Sequence, residues 1–188
     1  MGISADHSPV VGYNCVCPVL RKKPANMTHE SRLTLALRTL LNTQRVAALG
    51  TLDEVGQAFV SMVPFAIDGG TGAVVIHVSG LAAHARNLER VPRVSLMVMQ
   101  AEVAYEPVHA LPRVTLDGVA SVLKVDSAPW TAARAAYLTR FPDVEYMTQL
   151  GDFRFVAIEV TGARQVAGFG AARSIDADEL AQVLRSPA

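Results

Sequence analysis

The sequence has no excess of charge of either sign, since 17 Lys and Arg residues balance 17 Asp and Glu residues. Proteins that bind nucleic acid or an anionic membrane usually carry a basic net charge or a basic patch. We therefore expect no nucleic-acid or membrane partner. Charged residues make up only 18% of the chain against 51% apolar residues, which predicts an apolar surface that another subunit covers.

Long apolar runs are also missing. No segment approaches the roughly 20 apolar residues of a membrane helix, and the first residues lack the charged start and apolar core of a signal peptide. The two cysteines, Cys15 and Cys17, have no histidine or cysteine cluster beside them that could complete a metal site. These observations predict reduced thiols, no metal site and a cytoplasmic location.

The sequence contains none of the common catalytic motifs. There is no GxxxxGK phosphate loop, no GxSxG elbow, no HExxH helix and no obvious pair of carboxylates. No catalytic side chain is predicted. If the protein is an enzyme, a cofactor supplies the reactivity, and the protein positions it and excludes water.

Composition divides the chain into an arm and one domain. Residues 1–28 contain Gly, Pro, Asn and Cys without any period, so we expect an arm that is either poorly ordered or packed on a partner subunit. Residues 29–188 are long enough to bury one substantial core.

Within that domain the sequence shows a regular series of short strands. Strand patterns are predicted at 45–52, 58–67, 73–78, 94–99, 113–123 and 153–161. Helix patterns are predicted at 29–42 (capped by Thr28), 81–90, 127–140 and 176–184. The fold class is therefore mainly β, a six-stranded antiparallel barrel with peripheral helices. So small a barrel is filled by its own side chains, and a ligand would bind outside it, in a groove completed by a second copy.

The segment 73–98 combines a buried strand, a helix and a second buried strand. Ser79, His84, Arg86 and Asn87 lie around the predicted helix start. Ser79 is a candidate ligand contact, and an ordinary helix cap is the alternative, compatible role. A helix start suits an anion, because its first N–H groups have no intrahelical partner. Arg86 and Asn87 must point in different directions, since adjacent helix positions diverge. His77, in the preceding strand, is expected to be a buried histidine rather than a ligand.

Three segments carry a resemblance to a known family: SMVPFAID at 61–68, VIHVSGLAAHARNLERVPRVSL at 75–96 and RVTLDGVA at 113–120. Together they resemble the pyridoxamine 5′-phosphate oxidase-related FMN-binding split barrels. The pattern SxLAxHxxNL and the ending DF…VAGFGxA, at 152–172, are most similar to the haem-utilisation branch. The resemblance covers about 32–184 and implies a homodimer that holds FMN between its subunits.

The resemblance also implies a set of cofactor contacts. The matching positions are Ser61, Val63, Ser79, His84, Arg86, Asn87, Arg113, Phe169 and Gly170. In this scheme Ser79 and His84 reach the FMN phosphate, which would raise the pKa of His84. Purely structural roles stay open for two of these residues: Phe169 as a core residue, and Arg113 as the partner in a surface salt bridge. Tyr105, Tyr146 and His109 are weaker candidates for the same cleft.

Two departures from the family pattern bear on function. The family's Arg-Lys phosphate pair reads Ala83-His84 here, and a second such pair is replaced by Ser61 and Ala66, so pyridoxamine phosphate is not the expected substrate. Haem-degrading relatives carry a C-terminal haem-ligating histidine, and this sequence ends at Ala188 without it. The first hypothesis is an FMN-dependent oxidoreductase acting on a small molecule. The alternatives are a non-catalytic FMN, haem or tetrapyrrole binder, with haem less favoured than FMN, and an enzyme that uses a deazaflavin.

Overall fold

The computed structural model of the chain describes residues 1–2 and 30–185. Apart from its first two residues, the arm expected at 1–28 lies outside the described residues, as do the two cysteines and the predicted cap Thr28. The first helix, α1, spans Arg32–Thr43 and begins later than predicted, because the hydroxyl of Ser31 accepts the N–H of Thr34 at 3.1 Å and forms the cap. Glu30 precedes the helix and pairs with Arg38.

The remaining elements follow the predicted order. The strands are β1 Val46–Leu52, β2 Ala58–Ile67, β3 Val74–Ser79, β4 Arg93–Met99, β5 Arg113–Val122, β6 Phe153–Val166 and β7 Ala172–Ile175. The other helices are α2 Ala83–Arg90, α3 Ala128–Arg140 and α4 Ala177–Arg185, with 3₁₀ helices at Val108–Ala110 and Pro142–Gln149. The sequence patterns did not predict β7 or the 3₁₀ helices. None of the helices in the described ranges is long and apolar enough to cross a bilayer.

The strands form an antiparallel sheet in the order β3-β2-β1-β4-β5-β6-β7, and a further pairing of β3 with β6 closes it into a barrel. Six strands make the barrel, and β7 pairs only with the end of β6 outside it. The predicted six-stranded antiparallel barrel with peripheral helices is confirmed.

β6 is longer than predicted and continues past Gly162. Its pairing with β5 shifts between Asp117 and Gly118, which leaves Thr161 as an extra residue in a β-bulge. A Cβ atom at Gly118 would lie 2.6 Å from the carbonyl oxygen of Glu159, so the bulge requires glycine there. The strand can therefore continue beyond a glycine that the sequence pattern marked as its end.

Alternate residues of the strands fill the interior of the barrel. Val63, Phe65, Ile76, Leu96 and Leu116 are each at most 2% exposed. A second apolar cluster lies under α3, where Tyr137 and Phe141 pack on Ala66 and Phe155. The barrel is filled by its own side chains, as predicted, and has no room for a large ligand.

Candidate functional site

The helix at the centre of the predicted site begins at Ala83, two residues after the expected start. Ala82 occupies the N-cap position and has no polar side chain to cap the helix. The hydroxyl of Ser79 instead accepts the N–H of Leu81 at 3.2 Å, in the turn that precedes α2. Ser79 therefore does not cap α2, which excludes the alternative role, because the chain makes one additional turn before the helix starts.

Ser79 has a carboxylate partner. Its hydroxyl donates to Asp152 Oδ2 at 2.7 Å, and the N–H of Gly80 donates to the carbonyl oxygen of Asp152 at 2.7 Å. A carboxylate thus binds the hydroxyl that the resemblance assigns to a phosphate. Asp152 was not among the predicted contacts, although the DF pattern that it begins was part of the resemblance.

His84, on the first turn of α2, faces β2. Its ring is half-buried, and Nδ1 lies 3.0 Å from Ser61 Oγ. Burial lowers the pKa of His84 below its ordinary value, so the ring is neutral at pH 7. The structure brings the predicted contacts Ser61 and His84 together, as a hydroxyl paired with a neutral imidazole. A rise in this pKa on phosphate binding stays a prediction.

Arg86 and Asn87 diverge as predicted. Arg86 is exposed, and its Nη1 donates to the carbonyl oxygen of Leu81 at 2.7 Å. Asn87 is buried and donates from Nδ2 to Thr51 Oγ1 at 3.1 Å. This buried amide joins α2 to β1. The sequence analysis did not identify Thr51, whose only signal is its place on the inward-facing side of a strand.

Val63 and Arg113, two predicted flavin contacts on strands, differ in where their side chains lie. The side chain of Val63 is 2% exposed and lies in the barrel core, so only its backbone is available to a ligand. Arg113 begins β5 and lies opposite Met99. Arg113 is half-buried, and its Nη1 donates to the carbonyl oxygen of Leu111 at 3.0 Å. No salt bridge of Arg113 is found in the described part of the chain.

Phe169 and Gly170 lie in the turn between β6 and β7. Phe169 is 89% exposed, which excludes the alternative that it is a core residue of this subunit. Gly170 has a φ of +75°, a left-handed conformation that favours glycine. The turn follows Val166, which pairs with Arg113, so Phe169 and Gly170 lie at the Arg113 end of the barrel.

Seven of the nine predicted contacts therefore form two groups, one around α2 and one at the start of β5. Arg113 begins this strand, whereas Val119, six residues later, lies opposite Arg93 just after α2. Six strand residues span about 20 Å. One group contains Ser61, Ser79, His84 and Arg86, around α2; Ser61 joins it through His84, although its strand register is with Leu116 in the middle of β5. The other group contains Arg113, Phe169 and Gly170.

An apolar strip covers the outside of the barrel between these two groups. Met62, Ala48 and Met97 lie side by side on β2, β1 and β4. Met62 is 65% exposed, and the outward-facing Val60, Met99 and Val119 are exposed as well. We call Val60, Met62, Met97, Met99 and Val119 the outer apolar face.

The remaining titratable and aromatic candidates lie elsewhere. As predicted, His77 is buried, and it packs against the rings of Phe155, Phe153 and Tyr137 at centroid distances of 4.3, 5.0 and 5.7 Å. Burial lowers the pKa of His77 to about 4. His109 is exposed, as are Tyr105 and Tyr146. Within the described ranges, no three His, Cys, Asp or Glu side chains converge as a metal site would require.

A groove of about 770 Å³ runs between α3 and α4 across strands β3, β5 and β6. Its walls are mostly small and apolar, and none of the predicted cofactor contacts lines it. The polar groups converge instead at the start of α2, at the edge of the barrel. The candidate site therefore lies outside this groove.

Comparison with known proteins places these observations in a family. The family described as pyridoxamine 5′-phosphate oxidase matches residues 33–167. The haem oxygenase HutZ of Vibrio cholerae is 32% identical over 152 residues, which cover 80% of this chain and 85% of the relative.

Solved structures give a similar result. A haem-binding protein from Mycobacterium smegmatis superposes with a TM-score of 0.72 at 32% identity, over 82% of this chain and 62% of that one. The chain thus spans less than two thirds of that protein. A structure of HutZ from Vibrio cholerae, described there as a haem storage protein, superposes with a TM-score of 0.65 at 30% identity, over 71% of this chain and 94% of that one.

Proposed function

Because the chain belongs to the pyridoxamine 5′-phosphate oxidase-like split-barrel family, in its haem-utilisation branch, we propose that it binds haem in a cleft completed by a second copy of the chain. The similar proteins are described as haem oxygenase, haem storage and haem-binding proteins. FMN was the first hypothesis from the sequence. The named relatives support the haem alternative better than FMN.

The observation that carries this proposal is the contact between Ser79 and Asp152. An FMN phosphate at Ser79 would meet the carboxylate of Asp152, which accepts the same hydroxyl at 2.7 Å. Two anions side by side repel each other unless cations offset them. His84 offers little compensation, because its pKa is lowered, and the guanidinium of Arg154, which lies against Gly80, is already paired with Glu89. The donor set at α2 therefore suits a dianionic phosphate poorly.

A haem places different demands on these residues. It needs an apolar surface for the macrocycle, donors for its two propionates and a ligand for its iron. The outer apolar face offers the surface, and Arg113 keeps guanidinium N–H groups beyond the one that binds Leu111. The ring of His84 offers a neutral nitrogen. Bound haem supplies an iron centre that can react with O₂, while the protein binds the macrocycle, orients it and excludes water.

The dimer is part of the same proposal. The Arg113 group lies at the start of β5, whereas α2 lies beside the other end of this strand, so the two groups do not adjoin in one subunit. If the outer apolar faces of two copies pack together, the Arg113 group of one copy can approach the α2 group of the other. Burial of these Met and Val side chains would favour such packing, by about 25 cal/mol per Å² of apolar area before the cost of association is subtracted.

The reaction that we propose is oxidative opening of the haem ring, in line with the name of the HutZ relative. Storage without turnover is the second candidate, in line with the description of the HutZ structure. The chain offers no histidine, cysteine or carboxylate cluster within its described ranges that would point to other metal chemistry. The two candidates share a binding site and differ in turnover.

The experiment is a titration of the purified full chain with hemin and, separately, with FMN, followed by absorption. We expect saturation with one hemin per subunit and weaker binding of FMN. Addition of a reductant and O₂ should then release biliverdin-like product and iron, and binding without product would favour storage. Saturable FMN binding with no hemin binding would overturn the proposal.

The dimer is tested by light scattering after size exclusion. Met97→Glu places a charge in the outer apolar face and should give a monomer that remains folded by circular dichroism. Val125→Glu, an exposed residue outside this face, is the matched control and should stay dimeric. A monomeric parent protein would contradict the shared cleft.

A further inference from the structure

The outer apolar face borders two arginines on the neighbouring strands. Met99 lies opposite Arg113, and Met97 lies opposite Thr115, on the paired strands β4 and β5. Across the other edge of β5, Thr115 lies opposite Arg164 of β6. Residues directly opposite each other on paired strands point to the same face of the sheet. Arg113 and Arg164 therefore share the outward side of the barrel with the two methionines.

The residues between these positions have the reverse orientation. Val114 lies opposite Gln165, and both are at most 2% exposed. Because side chains alternate along a strand, the adjacent Arg113 and Arg164 point away from the barrel interior. Arg164 is exposed and Arg113 is half-buried. Both guanidinium groups are therefore on the side of the barrel where the proposed cleft lies.

The two guanidinium groups are close enough to bind one ligand. Arg113 and Arg164 are diagonal neighbours on paired strands, positions that are about 7–8 Å apart and within reach of long side chains. Thr115 lies between them on the same face, and Ser174 of β7 lies opposite Arg164, so two hydroxyl groups are nearby. A guanidinium can donate two parallel hydrogen bonds to a carboxylate or a phosphate.

No carboxylate of the described chain neutralises this pair of cations. The ion pairs within residues 30–185 include neither Arg113 nor Arg164. Arg164 has no side-chain hydrogen bond in these residues either, whereas Arg113 donates one to Leu111. Asp117, two residues after Thr115 on β5, accepts the hydroxyl of Ser95 instead. Two like charges at neighbouring positions repel each other, and an anion bound between them would offset this repulsion.

We propose that Arg164, together with Arg113, binds the propionate groups of haem beside the outer apolar face. This inference rests on the proposed function, since it requires that the chain bind haem. An apolar ring system with two carboxylates at one edge matches an apolar face with two guanidinium groups at its edge. Arg164 is not among the contacts that the family resemblance implies. The phosphate of FMN is the other anion that could use these donors, so the test includes it.

The test compares hemin with hemin dimethyl ester, which keeps the macrocycle and the iron but has no carboxylate. The full chain is titrated with each compound at low salt and followed by absorption. The parent should bind hemin more tightly than the ester. Arg164→Gln and, separately, Arg113→Gln should each lower hemin affinity about three- to tenfold and leave ester affinity unchanged. A purely structural role of either arginine would instead lower both affinities together.

The matched control is Lys124→Gln, which removes an exposed positive charge beyond the far end of β5. This variant should bind hemin and the ester as the parent does, and circular dichroism shows whether each variant is folded. If the folded arginine variants bind hemin as tightly as the parent, this inference is wrong and haem binding stands. If they lose affinity for FMN but not for hemin, the pair binds phosphate and the inference is also wrong. If the parent binds no hemin, the proposed function itself has failed.

Discussion

Two histidine-containing regions of the molecule can be compared directly: the aromatic cluster under α3 and the polar site at the start of α2. Burial lowers the pKa of the histidine in each, to about 4 for His77 and in the same direction for His84. Their neighbours differ. His77 packs against three aromatic rings and makes no side-chain hydrogen bond in the described part of the chain, whereas His84 has the hydroxyl of Ser61 as a partner. The partners of a histidine, rather than the shift of its pKa, distinguish packing from function.

The two regions also differ in what holds them together. The α3 cluster buries large apolar side chains, which lose contacts and hydration energy when they are truncated. Apart from the buried bond between Asn87 and Thr51, the α2 site is a set of hydrogen bonds between partly exposed groups, and each contributes only about 1 kcal/mol. Substitutions should therefore affect stability strongly in the first region, and ligand binding in the second.

The largest expected effect is on stability in the α3 cluster. Phe155 is 1% exposed and contacts the rings of His77, Trp130 and Tyr137. Phe155→Ala should lower the free energy of unfolding by about 3–5 kcal/mol, measured by urea denaturation. Phe169→Ala, at the exposed turn, should change it by less than about 0.5 kcal/mol. Equal losses in the two variants would contradict the distinction between the regions.

The next effect is a pH dependence of stability that originates from His77. Its pKa is about 6.5 in the unfolded chain and about 4 in the folded protein. Between these values the unfolded chain binds a proton that the folded protein does not, so stability falls as the pH falls from 6.5 to 4. The loss is at most about 3 kcal/mol.

His77→Phe keeps an aromatic ring at this position and removes the proton. Its free energy of unfolding should therefore decline less than that of the parent between pH 6.5 and 4, as followed by urea denaturation at several pH values. His84→Gln should change the slope less, because the half-buried ring of His84 keeps contact with water. A slope unchanged by His77→Phe would show that the ring takes up its proton without penalty.

The smallest effect concerns anion binding at α2. Asp152→Asn removes the charge beside Ser79 and should raise the affinity for FMN or inorganic phosphate a few-fold, about 1 kcal/mol at low salt. The chain offers a matched control, because Thr71 Oγ1 donates to Asp68 Oδ2 at 2.7 Å in the turn before β3, at the other end of this strand from Ser79. Asp68→Asn should have no effect on anion affinity, measured by calorimetry. Equal affinities in the parent and Asp152→Asn would remove the argument that this carboxylate disfavours FMN.

The fold could be predicted largely from local patterns. Alternation of apolar residues gave the barrel strands, and the stop at Pro92 ended the helix before β4. The errors arose where long-range pairing outweighs a local pattern. β6 continues past Gly162 because a bulge and the pairing with β5 support it, and β7, with the sequence ARSI, has no apolar alternation of its own.

The sequence motifs named candidate site residues one at a time, and their binding roles stay predictions; the contacts between these residues could not be predicted. His84 and Ser61 were both identified from the motifs, but their contact depends on how α2 packs on β2. The partners of Ser79 and Asn87 are 73 and 36 positions away in sequence, and neither was identified. Such contacts depend on the topology of the barrel, which a motif does not encode.

The closure of the barrel has a consequence for synthesis of the protein. β3 pairs with β6, for example Val74 with Ile158, so the barrel cannot close until most of the chain has been made. Until then a nascent chain exposes the free edges of β3 and β5, which can pair with other chains. Strands β1 to β3 are joined by short turns and can form early. We expect a chain truncated before β6 to aggregate or be degraded in the cell, because the barrel can close only after β6 has been synthesised.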